Sequence, residues 1–325
     1  MRAAVCVGEE AEPVGKLNAM QSAAGDSCIG APMGFKEFAV ILIWALAASA
    51  NVIVDDTGSS TVAATISSTD SPSTEATVSI ENINSTLALS DSAAKSIEDA
   101  LYNEVVSRDF NKAVYRTAIL YGDGRDSIIT NVVNRLIDNG KSQIFDYAYK
   151  LTASRGTFIV RALFPWEIRM HEDLLFVKII SYPYNFALKY SLGEDLDDEK
   201  IAYGDPNTKT RFRVTWKFVP YWIGDRVYFK IRPIDIAYFL KLGNTVDRDG
   251  DHGAYGSTNH DTDRHLWYVE PVRHKGKLLF YIINKEYNKL LKLGQSTDSD
   301  GDRRAYGHST RDFNPDKFAW DIDLI

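Results

Sequence analysis

Cysteine is nearly absent from this chain of 325 residues: there are two, Cys6 and Cys28, both close to the N-terminus. Beyond residue 28 a disulfide framework or a Cys-x-x-Cys metal or redox motif is excluded, and that part of the chain rests on packing. Long apolar runs are also lacking. The stretch at 38–46 falls well short of the roughly 20 residues that a helix needs to cross a bilayer, so it reads as the apolar core of a secretion signal and not as a membrane span. Positive charge is in deficit. With 37 Lys and Arg against 44 Asp and Glu, the formal net charge is -7, which repels polyanions and sets nucleic acid aside as a partner. Missing too are a Gly-x-Ser-x-Gly elbow and a phosphate-cradling glycine loop. The sequence accordingly reads as that of a non-enzyme, with no catalytic residues, no cofactor and no metal.

What is present is a repeat. Ala-Tyr-Gly occurs at Ala202-Tyr203-Gly204, Ala254-Tyr255-Gly256 and Ala305-Tyr306-Gly307, with the tyrosines 52 and then 51 residues apart. A Leu-Lys pair precedes each triplet (Leu188-Lys189, Leu240-Lys241, Leu291-Lys292), a glycine follows that pair (Gly193, Gly243, Gly294), and a tryptophan comes after the triplet (Trp216, Trp267, Trp320). Val177-Lys178-Ile179, Val227-Tyr228-Phe229-Lys230-Ile231 and Leu278-Leu279-Phe280-Tyr281-Ile282 alternate as half-buried strands do. Three copies are too few for a propeller of about four to eight blades. The expected fold of the C-terminal half is a β-trefoil, with Trp216, Trp267, Trp320, Tyr203, Tyr255 and Tyr306 as its repeated core.

Ahead of the repeat the organisation changes several times. Residues 1–32 have no periodic pattern and are read as a mis-assigned start, with Met33 as initiator. Residues 33–50 form the signal peptide, ending in the small-x-small triplet Ala48-Ser49-Ala50. The segment 51–90 is rich in Ser and Thr, too poor in apolar side chains to offset its ordering entropy, and carries the N-glycosylation sequon at Asn84. Residues 91–167 switch to helical period. Ile97, Leu101 and Val105 share one face; Phe110, Val114, Ala118 and Tyr121 share the next, capped by Asp109; Ile128, Ile129, Val132, Val133 and Leu136 make a third; Phe145, Ala148 and Leu151 follow; a last helix at 157–164 stops before Pro165. Residues 168–325 hold the repeat. The class expected is α+β multidomain, a small all-α bundle of short helices followed by the trefoil.

Several clusters bear on binding. Asp247-Arg248-Asp249-Gly250-Asp251 and its counterpart at Asp298, Asp300 and Asp302 set carboxylates at alternate positions, but the glycine falls before the third acid and no bidentate Glu follows, so they read as solvated turns and not as a Ca²⁺ loop. His252, His260, His265 and His274, with Asp261 and Asp263, lack metal-ligand spacing and read as a polar loop. The three repeated tryptophans read as core and not as sugar platforms. Tyr182, Tyr184, Tyr221 and Trp222, aromatics outside the repeat, remain as ligand-contact candidates.

The phrases Ser127-Ile128-Ile129-Thr130-Asn131-Val132-Val133-Asn134, Tyr147-Ala148-Tyr149-Lys150-Leu151, Ile201-Ala202-Tyr203-Gly204-Asp205 and Arg226-Val227-Tyr228-Phe229-Lys230-Ile231 are similar to stretches of the insect thirty-kilodalton low-molecular-mass hemolymph lipoproteins. The resemblance runs from about Ser90 to the end, and the Ser/Thr-rich leader looks like that of a Ser/Thr-rich subgroup. It implies a helical bundle of VHS-like topology before the β-trefoil, secretion into hemolymph, and a storage protein that binds and carries lipid. Sugar or glucan recognition in immunity, and cytokine-peptide binding, are the alternatives it implies. Lipid would lie between bundle and trefoil or on the helical face, and the oligomeric state stays open.

Overall fold

A computed structural model describes residues 90–325, apart from 173–174, 196, 209–212 and 310–313. The segments expected to be a mis-assigned start and a secretion signal, the Ser/Thr-rich segment before residue 90, both cysteines and the sequon at Asn84 lie outside the described residues.

Five helices fall on the five periodic segments: α1 (Asp91–Val106), α2 (Phe110–Gly122), α3 (Asp126–Asp138), α4 (Gln143–Ala153) and α5 (Thr157–Leu163). Ser90 starts α1 by accepting a bond from the Ala93 amide at 3.3 Å, which satisfies one of the free donors of the first turn. In α3 the pairs Ile128/Ile129, Val132/Val133 and Leu136/Ile137 are all buried, because its broad stripe faces neighbours on two sides. The buried stripe of α2 is Phe110, Ala113, Thr117 and Leu120, not the Phe110, Val114, Ala118, Tyr121 line expected from spacing. Apolar residues lie on nearly every side of that helix, so spacing alone did not select the inward one. Asp109, expected as a cap, makes no side-chain cap bond and pairs with Lys112 instead.

Twelve strands follow: β1 (Val177–Ser181), β2 (Phe186–Tyr190), β3 (Lys200–Asp205), β4 (Trp216–Ile223), β5 (Arg226–Pro233), β6 (Phe239–Val246), β7 (His252–Ser257), β8 (Trp267–His274), β9 (Lys277–Asn284), β10 (Lys289–Leu293), β11 (Arg303–Ser309) and β12 (Trp320–Leu324). All pair antiparallel in one sheet that closes on itself: β1 joins β12, and β4 returns to β1 at Val177↔Trp216.

This corrects the expected fold. The architecture is a closed antiparallel β-barrel with a short N-terminal helical region, not a VHS-like bundle joined to a β-trefoil. The reason lies in the pairing. β1 matches five residues of β12, from the far end of the chain, but only two of its sequence neighbour β2, so the hydrogen-bonded ladder crosses repeat boundaries as readily as it stays within them. Helices and barrel also share one buried cluster running from Leu101 to Ile322. A repeat in sequence fixes equivalent contacts; it does not fix which strand ends meet.

The equivalent contacts are regular. Trp216, Trp267 and Trp320 are buried, and each indole Nε1 donates at 2.8 Å to the carbonyl of the leucine in its own Leu-Lys pair, Leu188, Leu240 and Leu291. The glycine of each Ala-Tyr-Gly lies against a side chain of a different copy. A Cβ on Gly204 would stand 2.3 Å from Leu293, one on Gly256 2.5 Å from Tyr190, and one on Gly307 2.3 Å from Leu242. Those distances are far inside van der Waals contact, so any side chain added at these positions must displace its neighbour. Between these residues the tyrosines Tyr203, Tyr255 and Tyr306 are half-buried.

The seam between helices and barrel is filled. Phe145 of α4 meets Phe229 edge-on at 6.1 Å and Phe280 at 6.2 Å. Beside them Asp146, 1% exposed, accepts bonds from the Val227 amide at 2.6 Å and from Arg108 Nη1 at 2.8 Å. The same Arg108 nitrogen reaches the Asp225 carbonyl at 2.7 Å. Arg108 sits just past α1 at φ 64, a left-handed conformation usually given to glycine, and its guanidinium links α1, α4 and the β4–β5 turn.

Candidate functional site

The four aromatics singled out in the sequence do not converge. Tyr182 packs edge-on against His274 at 5.6 Å; Tyr184 lies under the Arg303 guanidinium at 4.2 Å. Tyr221 is 43% exposed, with the Lys230 ammonium 4.3 Å from its ring centre. Trp222, on the opposite face of β4, stacks on Tyr149 of α4 at 5.6 Å and 8°, and the Lys150 ammonium stands 4.0 Å from the centre of its ring. Trp222 therefore serves the seam.

The acidic turns are structural devices. Asp247 Oδ1 accepts from the Asp249 and Asp251 amides, and Asp298 Oδ1 from the Asp300 and Asp302 amides, at 2.9–3.0 Å. Asp195 does the same for Asp197 and Glu199, a third copy that the register of the repeat would have revealed. The last acid of each turn then pairs with the Leu-Lys lysine of another copy: Asp302 with Lys189 at 2.7 Å, Asp251 with Lys292 at 2.5 Å, and Glu199 with Lys241. Lys189 also holds Asp205 at 2.9 Å.

The histidines occupy separate surroundings. His252 stacks on Tyr287 at 4.1 Å, His260 receives Lys230 at 3.0 Å, and His274 meets Asp316 at 3.0 Å. His265 is 1% exposed, and burial, helped by the charge of Lys241, pushes its pKa down to about 4. Among the described residues no group of three or more His, Cys, Asp or Glu is placed to hold a metal ion.

Two polar pockets related by the repeat open on the barrel. One, about 310 Å³, lies between Asp195, Asp197, Glu199, Lys241, Tyr255 and Arg264; the other, about 340 Å³, between Lys189, Tyr203, Arg213, Asp298, Asp300 and Asp302.

A third concavity is of opposite character. On the helical region, away from the seam, a groove of about 310 Å³ is walled by Ile97 and Glu104 of α1, by Lys112, Tyr115, Arg116, Ile119 and Leu120 of α2, and by Arg125 at the start of α3. Tyr115 and Ile119, one helical turn apart, are 58% and 42% exposed. These are large apolar side chains left in water on a helix that already buries another stripe. The rim of the groove is cationic. Arg116 makes a two-pronged bond to Glu104 at 2.9 and 2.7 Å, and Lys112 pairs with Asp109 at 2.7 Å. Sequence reasoning missed the groove, although its signal was there: Tyr115 and Ile119 form a second apolar line on α2, outside the expected face. No helix among the described residues is long and apolar enough to cross a membrane.

Microvitellogenin of Manduca sexta is 42% identical over 225 residues, covering 69% of this chain and 90% of the relative. Low molecular mass lipoprotein 3 of Bombyx mori is 38% identical over 227 residues, covering 70% and 89%. A salivary protein of Culex quinquefasciatus aligns in three dimensions over 46% of this chain and 93% of its own, at 18% identity and a TM-score of 0.34, a likeness too slight to support an inference. Residues 95–324 match the family model described as lepidopteran low molecular weight (30 kD) lipoprotein, and the chain belongs to that family.

Proposed function

We propose that this protein is a secreted, non-catalytic storage and lipid-carrying protein of the hemolymph, holding its lipid in the groove between α1 and α2. In this reading the helical residues 91–167 carry the ligand, and the barrel, residues 168–325, is the stable body behind them. The observation that carries the reading is the groove itself: an apolar floor at the lower end of the volume range of small-molecule sites, bordered by exposed Tyr115 and Ile119 and rimmed by Lys112, Arg116 and Arg125. Apolar walls take an acyl chain and a polar rim takes a headgroup. Membership of a lipoprotein family and the apolar stretch at 38–46 support carriage and secretion respectively.

The test is organic extraction of the purified native protein followed by mass spectrometry, repeated on Ile119→Glu. Lipid recovered with the wild type and lost from the variant is expected; equal lipid on both would overturn the placement. A second reading, recognition of sugars or glucans, draws on the two repeat-related polar pockets, where a tyrosine ring stands beside carboxylates and a basic side chain. Selective signal on a glycan array, abolished by Tyr203→Ala and Tyr255→Ala together, would favour it over carriage.

A further inference from the structure

The charges around the groove are not equally engaged. Lys112 and Arg116 already have carboxylate partners, Asp109 and Glu104. Arg125 has none: among the described residues no carboxylate comes within ion-pair distance of its guanidinium, although Asp126 adjoins it and Asp123 lies two residues before it in sequence, and the side chain is half-buried at the mouth of the groove. A planar guanidinium partly withdrawn from water, with no acceptor, is matched by an oxyanion that takes two parallel N–H bonds. The groove volume of about 310 Å³ limits the apolar part to one chain.

We propose that the groove selects single-chain amphiphiles with an anionic headgroup, a long-chain carboxylate being the simplest, and that Arg125 reads the charge. The proposal rests on the groove being the lipid site. A neutral single-chain lipid would fill the same walls but leave Arg125 unpaired; a two-chain lipid would leave one chain in water.

The experiment is calorimetric titration of the full chain with dodecanoate and with dodecanol, both below the concentrations at which they aggregate, on wild type, Arg125→Met, Arg125→Lys and Ile119→Glu. Wild type is expected to prefer dodecanoate by about tenfold, the scale of one charge-assisted hydrogen-bonded pair. Arg125→Met should lose that preference while its dodecanol affinity stays the same, and Arg125→Lys should keep part of it. Equal affinity of wild type for the two probes would overturn charge selection and leave lipid carriage standing. Preference surviving in Arg125→Met would overturn the assignment to Arg125. Binding of neither probe, or binding undiminished in Ile119→Glu, would sink the groove and this proposal with it.

Discussion

Replacing Asp146 by Asn should remove a pH dependence whose sign runs against the usual behaviour of a paired carboxylate. Asp146 is bonded to Arg108 and to the Val227 amide, yet burial outweighs both and raises its pKa from 3.8 to about 6. A group whose folded pKa lies above its unfolded one binds an extra proton on folding between those values. Its contribution to stability is therefore fully present below about pH 4 and is lost as pH rises through 6. Two such values imply a gain of about 2 kcal/mol on going from pH 7 to 4.5, approaching about 3 kcal/mol at still lower pH. Asn keeps an acceptor for the Val227 amide but cannot titrate. Other carboxylates will oppose the trend, so the quantity to measure is the difference between wild type and Asp146→Asn in urea unfolding at pH 7, 5.5 and 4.5. That difference should move toward the wild type by about 2 kcal/mol over the range. A difference that is flat with pH, or that moves the other way, would mean that the Arg108 pairing and not burial governs this carboxylate.

Gly307→Ala should cost about 1–3 kcal/mol in chemical denaturation, because the new Cβ meets Leu242 at 2.3 Å in a closed core; Leu242→Ala in the same chain should recover part of it, and strict additivity would argue against the contact. Lys189→Met should destabilise by about 3–5 kcal/mol, since it strands Asp205 and Asp302 together without a counter-charge, and a loss below 1 kcal/mol would show those carboxylates to be well solvated. Ile119→Glu, at a half-exposed position, should change the unfolding midpoint by no more than about 0.5 kcal/mol equivalent while abolishing lipid retention.

Much of the fold was legible because its periodicities are local. The helical segments and the strands of the repeat are written in residue spacing, and the tryptophans were assigned to the core because a side chain required three times is required by packing. Closure of the barrel was not legible. It depends on β1 pairing along its other edge with β12, a partner from the far end of the chain, as well as with its sequence neighbour β2. The groove was half legible. Apolar residues cover α2 so fully that the inward line could be chosen only by its neighbours Leu101 and Val105, and the leftover Tyr115 and Ile119 became visible as leftovers only once that choice was known. The binding candidates Tyr182, Tyr184, Tyr221 and Trp222 were selected for being aromatic and outside the repeat, properties that say nothing about whether side chains meet in space.

The glycine interlock makes a demand on the history of this sequence. Gly204 accommodates Leu293, Gly256 accommodates Tyr190 and Gly307 accommodates Leu242, so no segment can drift alone: a bulkier occupant in one third of the barrel obliges a concession in another. Across kindred chains, positions 190 and 256, 242 and 307, and 204 and 293 should change as couples.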